Sequence, residues 1–327
     1  MPKDPSHPAD GAERGRQAEA PQQIPLAGWK DIFWRAWQAT GRDNISLVAG
    51  GLTYYMLLAL FPALVVLVSL YGLVSNPADV HQQIQSLSAT MPNGAQQVIG
   101  SELDQITKSS GGALSFGVVI GFLIALYSAS RGMSGMIMAL NIAYEQQETR
   151  GYIRLFLQAL ALTAVVIGFG IVALVLVAGV PVVVAAAGFG AVTKWIVLIL
   201  EWPLLLVLLM AMLAVLYRYA PDRREAQWRW ITPGAVVATV LWLIGSLLFT
   251  IYVAHFGDYN KTYGSLGALI GMLTWMYLSA YVVLLGAEIN AESERQTRRD
   301  TTTPPDQPMG QRGAHAADTV GRSYDET

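Results

Sequence analysis

The sequence predicts an all-α integral membrane protein with six transmembrane helices, an N-terminal interfacial helix and an extracytoplasmic helical hairpin. Two observations carry this. Six apolar segments, at roughly 47–75, 114–138, 155–180, 195–219, 231–256 and 264–288, each exceed the ~20 residues needed to cross a hydrocarbon core. Arginine is also divided by side along the chain. The N-terminal stretch, the gaps near 139–154 and 218–230 and the C-terminal tail hold Arg35, Arg42, Arg150, Arg154, Arg218, Arg223, Arg224, Arg229, Arg295, Arg298 and Arg299. The alternate gaps hold Lys108, Lys194 and Lys261 and no arginine. Cationic side chains near span ends stay on the cytoplasmic side, so the division predicts six crossings with both termini inside.

Composition agrees. Apolar residues make up 53% of the chain and charged residues 13%, half the share usual in a soluble domain. Residues 1–26 are polar and proline-rich without an apolar core, so no signal peptide is expected and the segment reads as a disordered cytoplasmic tail. Residues 27–46 follow as an interfacial amphipathic helix. Trp29, Ile32, Phe33, Ala36 and Trp37 make its apolar stripe, with Lys30, Asp31, Arg35 and Gln38 off it. The six-span domain covers 47–291, and Pro62 should kink its first helix. Residues 76–112 hold two apolar stripes around a Met-Pro-Asn-Gly turn, the pattern of an outer helical hairpin. Gly117 and Gly121 in the second span, and Gly267 and Gly271 in the last, lie at spacings that let helices approach closely. Pro203 is a second expected kink, in the fourth span. Residues 292–327 read as a second disordered cytoplasmic tail without a core-forming pattern, whose removal is expected to leave assembly intact.

Charges inside a bilayer are costly and mark candidate sites. Arg131 and Glu288 fall at similar depths on the second and sixth spans, which makes them a candidate ion pair. Tyr54, Tyr55, Tyr127, Ser128, Ser246, Thr274 and Tyr277 are polar side chains at depth, candidates to line a cavity or simply to bond neighbouring carbonyls. The chain has no cysteine and four scattered histidines, so neither a metal site nor another cofactor is expected. No nucleophile–base set or phosphate loop is present, so no enzymatic activity is expected. The loop arginines are explained by topology, which makes lipid headgroups the expected partner and nucleic acid not.

The run from Gly41 to Gly72 resembles the opening of the YihY/BrkB family of bacterial inner-membrane proteins, through Asp43, Asn44, Leu52, Tyr54, Tyr55, Phe61 and Pro62. Asn141 in MALNIAYE, Pro233 with Gly234, and Gly286, Ala287, Glu288 and Asn290 in the last span continue the resemblance over about residues 30–295. It implies six spans, a multi-pass inner-membrane location and cytoplasmic termini. It implies little chemistry: the family's labels derive from virulence and serum resistance and from a ribonuclease BN attribution. The preferred reading is a transporter-like protein moving a small, lipidic or envelope-related molecule. The rival is a non-transporting envelope-integrity or scaffold protein.

Overall fold

A computed structural model describes residues 13–74, 116–180, 184, 191–255 and 265–326. All described helices and turns are helical in type, and one isolated antiparallel bridge joins Ala226 to Thr302. We number the helices α1 (Leu26–Arg42), α2 (Ile45–Val74), α3 (Phe116–Ala143), α4 (Tyr152–Leu174), α5 (Ala191–Tyr219), α6 (Trp228–His255), α7 (Ser265–Glu294) and α8 (His315–Asp318). Four of them contain stretches long and apolar enough to cross a membrane: Tyr152–Val177, Ile199–Tyr219, Trp228–Val253 and Leu269–Glu294. The candidate hairpin at 76–112 lies outside the described residues.

The long helices pack as a ring in chain order. Each of α2 to α6 contacts the next, α6 packs on α7, and α7 closes the circuit against α2. The apolar core is concentrated at one end, where Ile45, Ala49, Ile137, Leu140, Leu216, Tyr217, Ile231, Ala235 and Leu284 meet. We call this the polar end, because the buried charged groups described below lie next to this core.

The tightest seams are made by glycines. A Cβ on Gly234 of α6 would lie 2.0 Å from the Gly286 carbonyl oxygen of α7, and one on Gly286 would lie 2.4 Å from the Tyr217 hydroxyl. Gly132 and Gly135 of α3 close in the same way on Ala59 and Tyr55 of α2. At Gly271 the nearest atom to such a Cβ is 3.9 Å away, so the predicted stripe on α7 is looser than the Gly286 contact. The side-chain surroundings of Gly117 and Gly121 lie outside the described residues. Pro62 sits within α2 and Pro203 within α5, and both helices continue past them.

Neither tail is disordered where it is described, which corrects the compositional expectation. From Arg14 to Ile24 the chain lies against the end of α7, with Ala18, Ile24, Ile32, Ala36, Trp230 and Ile289 in one apolar cluster. Residues 296–326 wrap across the same end. Gln296, Thr297, Thr301 and Thr302 are buried, and Gln227 and Thr303 form backbone hydrogen bonds at 2.9 Å across the Ala226–Thr302 bridge. Arg312 holds this segment from within by donating to the carbonyls of Arg298, Arg299, Gln307 and Ala317 at 2.6–3.1 Å. The order comes from arginine–carbonyl bonds and short polar contacts, which leave no apolar period in the sequence.

Two outcomes follow. Gly234→Ala or Gly286→Ala forces α6 and α7 apart and should cost about 1–3 kcal/mol, seen as a lower unfolding midpoint of the purified protein. Gly50→Ala, where a Cβ meets nothing within 4 Å, should not. Deleting 296–327 uncovers the buried end of α7, so the shortened chain should unfold at lower temperature; an unchanged midpoint would show that the wrap contributes nothing.

Candidate functional site

Two features stand out, a buried polar assembly and a groove that begins beside it. The assembly centres on the last turns of α7, where Glu288, Asn290, Glu292, Ser293 and Glu294 are all buried. A helix C-terminus disfavours negative charge, so these acids need cations. Arg35 of α1 supplies one. Its Nε donates to Glu292 at 2.6 Å, and its other nitrogens reach the Glu292 carbonyl, Gln296 and the Arg322 carbonyl. Arg223 grips Glu294 with two nitrogens at 2.9 and 2.6 Å, and Thr301 donates to the same carboxylate. Arg295 bonds Glu292 at 2.7 Å, Arg42 pairs with both Asp43 and Glu145, and Arg14 pairs with Asp31 at 3.0 Å.

Sequence reading placed Asp31 and Arg35 on the wet back of the interfacial helix. They are instead its buried face, while Leu26, Phe33 and Trp37 are its exposed apolar surface. The signal for Arg35 is present in the acid-rich ending AESER, whose Glu292 takes Arg35 and Arg295 and whose Glu294 takes Arg223.

Several of the family-motif residues serve this end. Asn44 adopts φ 50, the left-handed corner that asparagine tolerates, and so turns the chain from α1 into α2. Asn141 accepts from the Asp222 N–H and donates to Glu148, both at 2.8 Å, joining two loops. The side-chain oxygen Oδ1 of Asn290 accepts the Gly234 N–H at 2.7 Å beside the Gly234–Gly286 contact, and Ala287 is fully buried there. Arg150 donates two hydrogen bonds at 2.6 Å to Glu148, holding that carboxyl below its ordinary range. Asp222 and Asp300 are also lowered: burial alone would raise them, and hydrogen bonds from Thr149 and from the N–H groups of Gln307 and Thr302 outweigh it.

The groove runs along α2. Its first part, about 520 Å³, is lined by Thr40, Gly41, Asn44, Ser46, Leu47, Gly50 and Gly51. Its second, about 450 Å³, shares Gly50 and continues between α2 and α7 past Thr53, Tyr54, Leu57, Leu273, Thr274 and Tyr277. The hydroxyls of Ser46 and Tyr277 are hydrogen-bonded at 2.6 Å across the seam. Open glycines and polar groups beside Leu47 thus lie at the α1–α2 corner, with leucines and hydroxyl-bearing side chains further along.

The residues predicted to line a cavity divide among several surroundings. Tyr54, Thr274 and Tyr277 share the groove. Tyr55 packs on Gly135, and Ser246 faces Trp275 between α6 and α7. Tyr127 stands on the exposed flank of α3 against Phe156 of α4, and Ser128 is half-buried on the same helix. The Arg131–Glu288 pair does not form. Arg131 donates to the Tyr127 hydroxyl at 2.7 Å on an exposed face, while Glu288 is 1% exposed among Asp43, Glu292, Arg42 and Glu145. Equal depth on two helices does not make their side chains face each other.

The profile of the family described as "Virulence factor BrkB" matches residues 36–310. A ribonuclease-like protein, YfkH, of Bacillus subtilis is 33% identical over 280 residues, covering 84% of this chain and 98% of that one. A membrane protein of the UPF0761 group from Idiomarina loihiensis is 26% identical, covering 79% of this chain and 88% of its own. Another from Vibrio atlanticus is 28% identical, covering 76% and 78%. No solved structure matches.

Lowered carboxyl groups contribute stability above their unfolded-state values and lose it as pH falls through their folded values. Unfolding midpoints should therefore drop below about pH 4. Glu148→Gln should be less stable at neutral pH and show a shallower acid loss.

Proposed function

The chain belongs to the Virulence factor BrkB family, and from that premise we propose a six-span, transporter-like protein that moves a lipidic or envelope-related molecule. In this reading it sits in the bacterial inner membrane with the polar end and both termini in the cytoplasm, because that end carries the arginine-rich loops. α2 and α3, of 30 and 28 residues, supply the first two crossings beside the four apolar stretches.

One observation supports transport of an amphiphile above the rest. The groove is open along the ring's side, with Thr40, Asn44 and Ser46 beside Leu47 at the α1–α2 corner, and Leu57 and Leu273 among hydroxyl-bearing side chains beyond. In this reading a headgroup occupies the first part and an acyl chain follows the leucines of the second. The three groove residues that sequence depth singled out, Tyr54, Thr274 and Tyr277, all line the second part. The reading assigns no catalytic activity to the chain. Its rival, a non-transporting scaffold, draws on the dense buried network of the polar end.

The test uses the full chain in liposomes carrying a fluorescent short-chain phospholipid, with transbilayer movement read by quenching from outside. Protein should accelerate movement, and Gly50→Trp, which fills the groove from a position with free space, should abolish it at unchanged thermal stability. No protein-dependent movement of any lipid offered would favour the scaffold.

A further inference from the structure

Arg131 differs from the carboxylate-paired arginines of the polar end. Arg35, Arg150, Arg218 and Arg223 each have a carboxylate within 2.9 Å. Among the described residues, none lies within ion-pair distance of Arg131. It stands on the exposed face of α3 in line with Ile124, Tyr127, Met138 and Ile142, and the start of α4 beside it exposes Tyr152, Ile153 and Leu157. This is a largely apolar surface that carries Arg131 on α3, with Arg154 also exposed at the start of α4. A guanidinium in such a place requires a counter-ion, and no carboxylate among the described residues supplies one.

The chemistry around the charge defines what fits. The Tyr127 hydroxyl accepts from Arg131 at 2.7 Å, and its ring lies 5.3 Å from the guanidinium carbon. Having spent a lone pair on Arg131, that hydroxyl directs its own proton outward. Tyr152 brings a second phenol close to the same guanidinium from the next helix. The cluster therefore offers several N–H and two O–H donors and no carboxylate. A planar cation beside two hydroxyls, each with a proton to give, and no carboxylate among the described residues suits an anion with several oxygens.

We propose that Arg131, Tyr127 and Tyr152 form a binding site for the phosphate of an anionic phospholipid, whose acyl chains lie along the apolar faces of α3 and α4. The site is separate from the α2–α7 groove and stands whether or not the chain transports. A bound lipid here fastens α3 to the start of α4, since its phosphate bridges donors from both.

Native mass spectrometry of the full chain, titrated with dioctanoyl phosphatidylglycerol, dioctanoylglycerol or inorganic phosphate, tests this. The phosphatidylglycerol should bind, and Arg131→Gln should weaken its tightest adduct by about tenfold. Arg131→Lys should weaken it less, Tyr127→Phe should weaken it measurably, and Arg229→Gln, elsewhere on the surface, should leave it unchanged. Equal binding to Arg131→Gln and the unaltered chain overturns the site. Full occupancy by inorganic phosphate alone, or equal binding of dioctanoylglycerol, overturns the lipid phosphate as its ligand. Arg131 is exposed, so its variants should keep the unaltered unfolding midpoint without lipid.

Discussion

The buried acids at the end of α7 constrain the rest of the polar end. Glu292 and Glu294 sit where the helix dipole opposes them, out of reach of water. A buried carboxylate without a partner is severely destabilising. Each therefore holds an arginine from a distant part of the chain: Arg35 from α1, and Arg223 from the loop before α6. Those two contacts fix where α1 lies and where the α5–α6 loop runs. The C-terminal wrap then takes up the remaining donors of Arg35, through Gln296 and the Arg322 carbonyl, and Arg223 bonds the Arg224 carbonyl of its own loop. The apolar helices set the ring, and the acids of α7 decide how its end is closed.

Much of the architecture was legible in the sequence, and the rest was hidden for identifiable reasons. Apolar length marks the helices, because a span must bury its own backbone bonds. The family residues Asn44, Gly286 and Asn290 proved informative, since each does something only its type does well: a left-handed corner, a close crossing, a side-chain acceptor for a neighbour's N–H. The tails were misread because Arg312 and Arg35 organise them through carbonyl groups, and a carbonyl has no sequence signature. Azimuth was the other gap. Tyr54 and Tyr55 are adjacent in sequence and equal in depth, yet one lines a groove and the other packs on a glycine. A hundred degrees of helix rotation separates the two, and depth carries no information about it.

The groove and the arginine on α3 share a physical theme. Both are places where the fold leaves something undone: an open glycine surface along the α2–α7 seam, and a charge without a counter-ion among the described residues. In water such features would be ordinary. Against lipid they are specific, because the solvent there has headgroups at one level and hydrocarbon at another. The surface of this protein is best understood as matched to that layered solvent.

The ring closes the first long helix against the last, and this has a consequence for how the protein is made. Arg35 emerges from the ribosome 257 residues before its partner Glu292. At ordinary elongation rates that interval is roughly 10–50 s. During it Arg35, and later Arg223, present cations with no acid of α7 to receive them. The polar end is thus the final closure of biogenesis. A chain that stalls or is cut before α7 keeps these charges bare on its surface, a visible mark of incompleteness for the proteases that patrol the membrane.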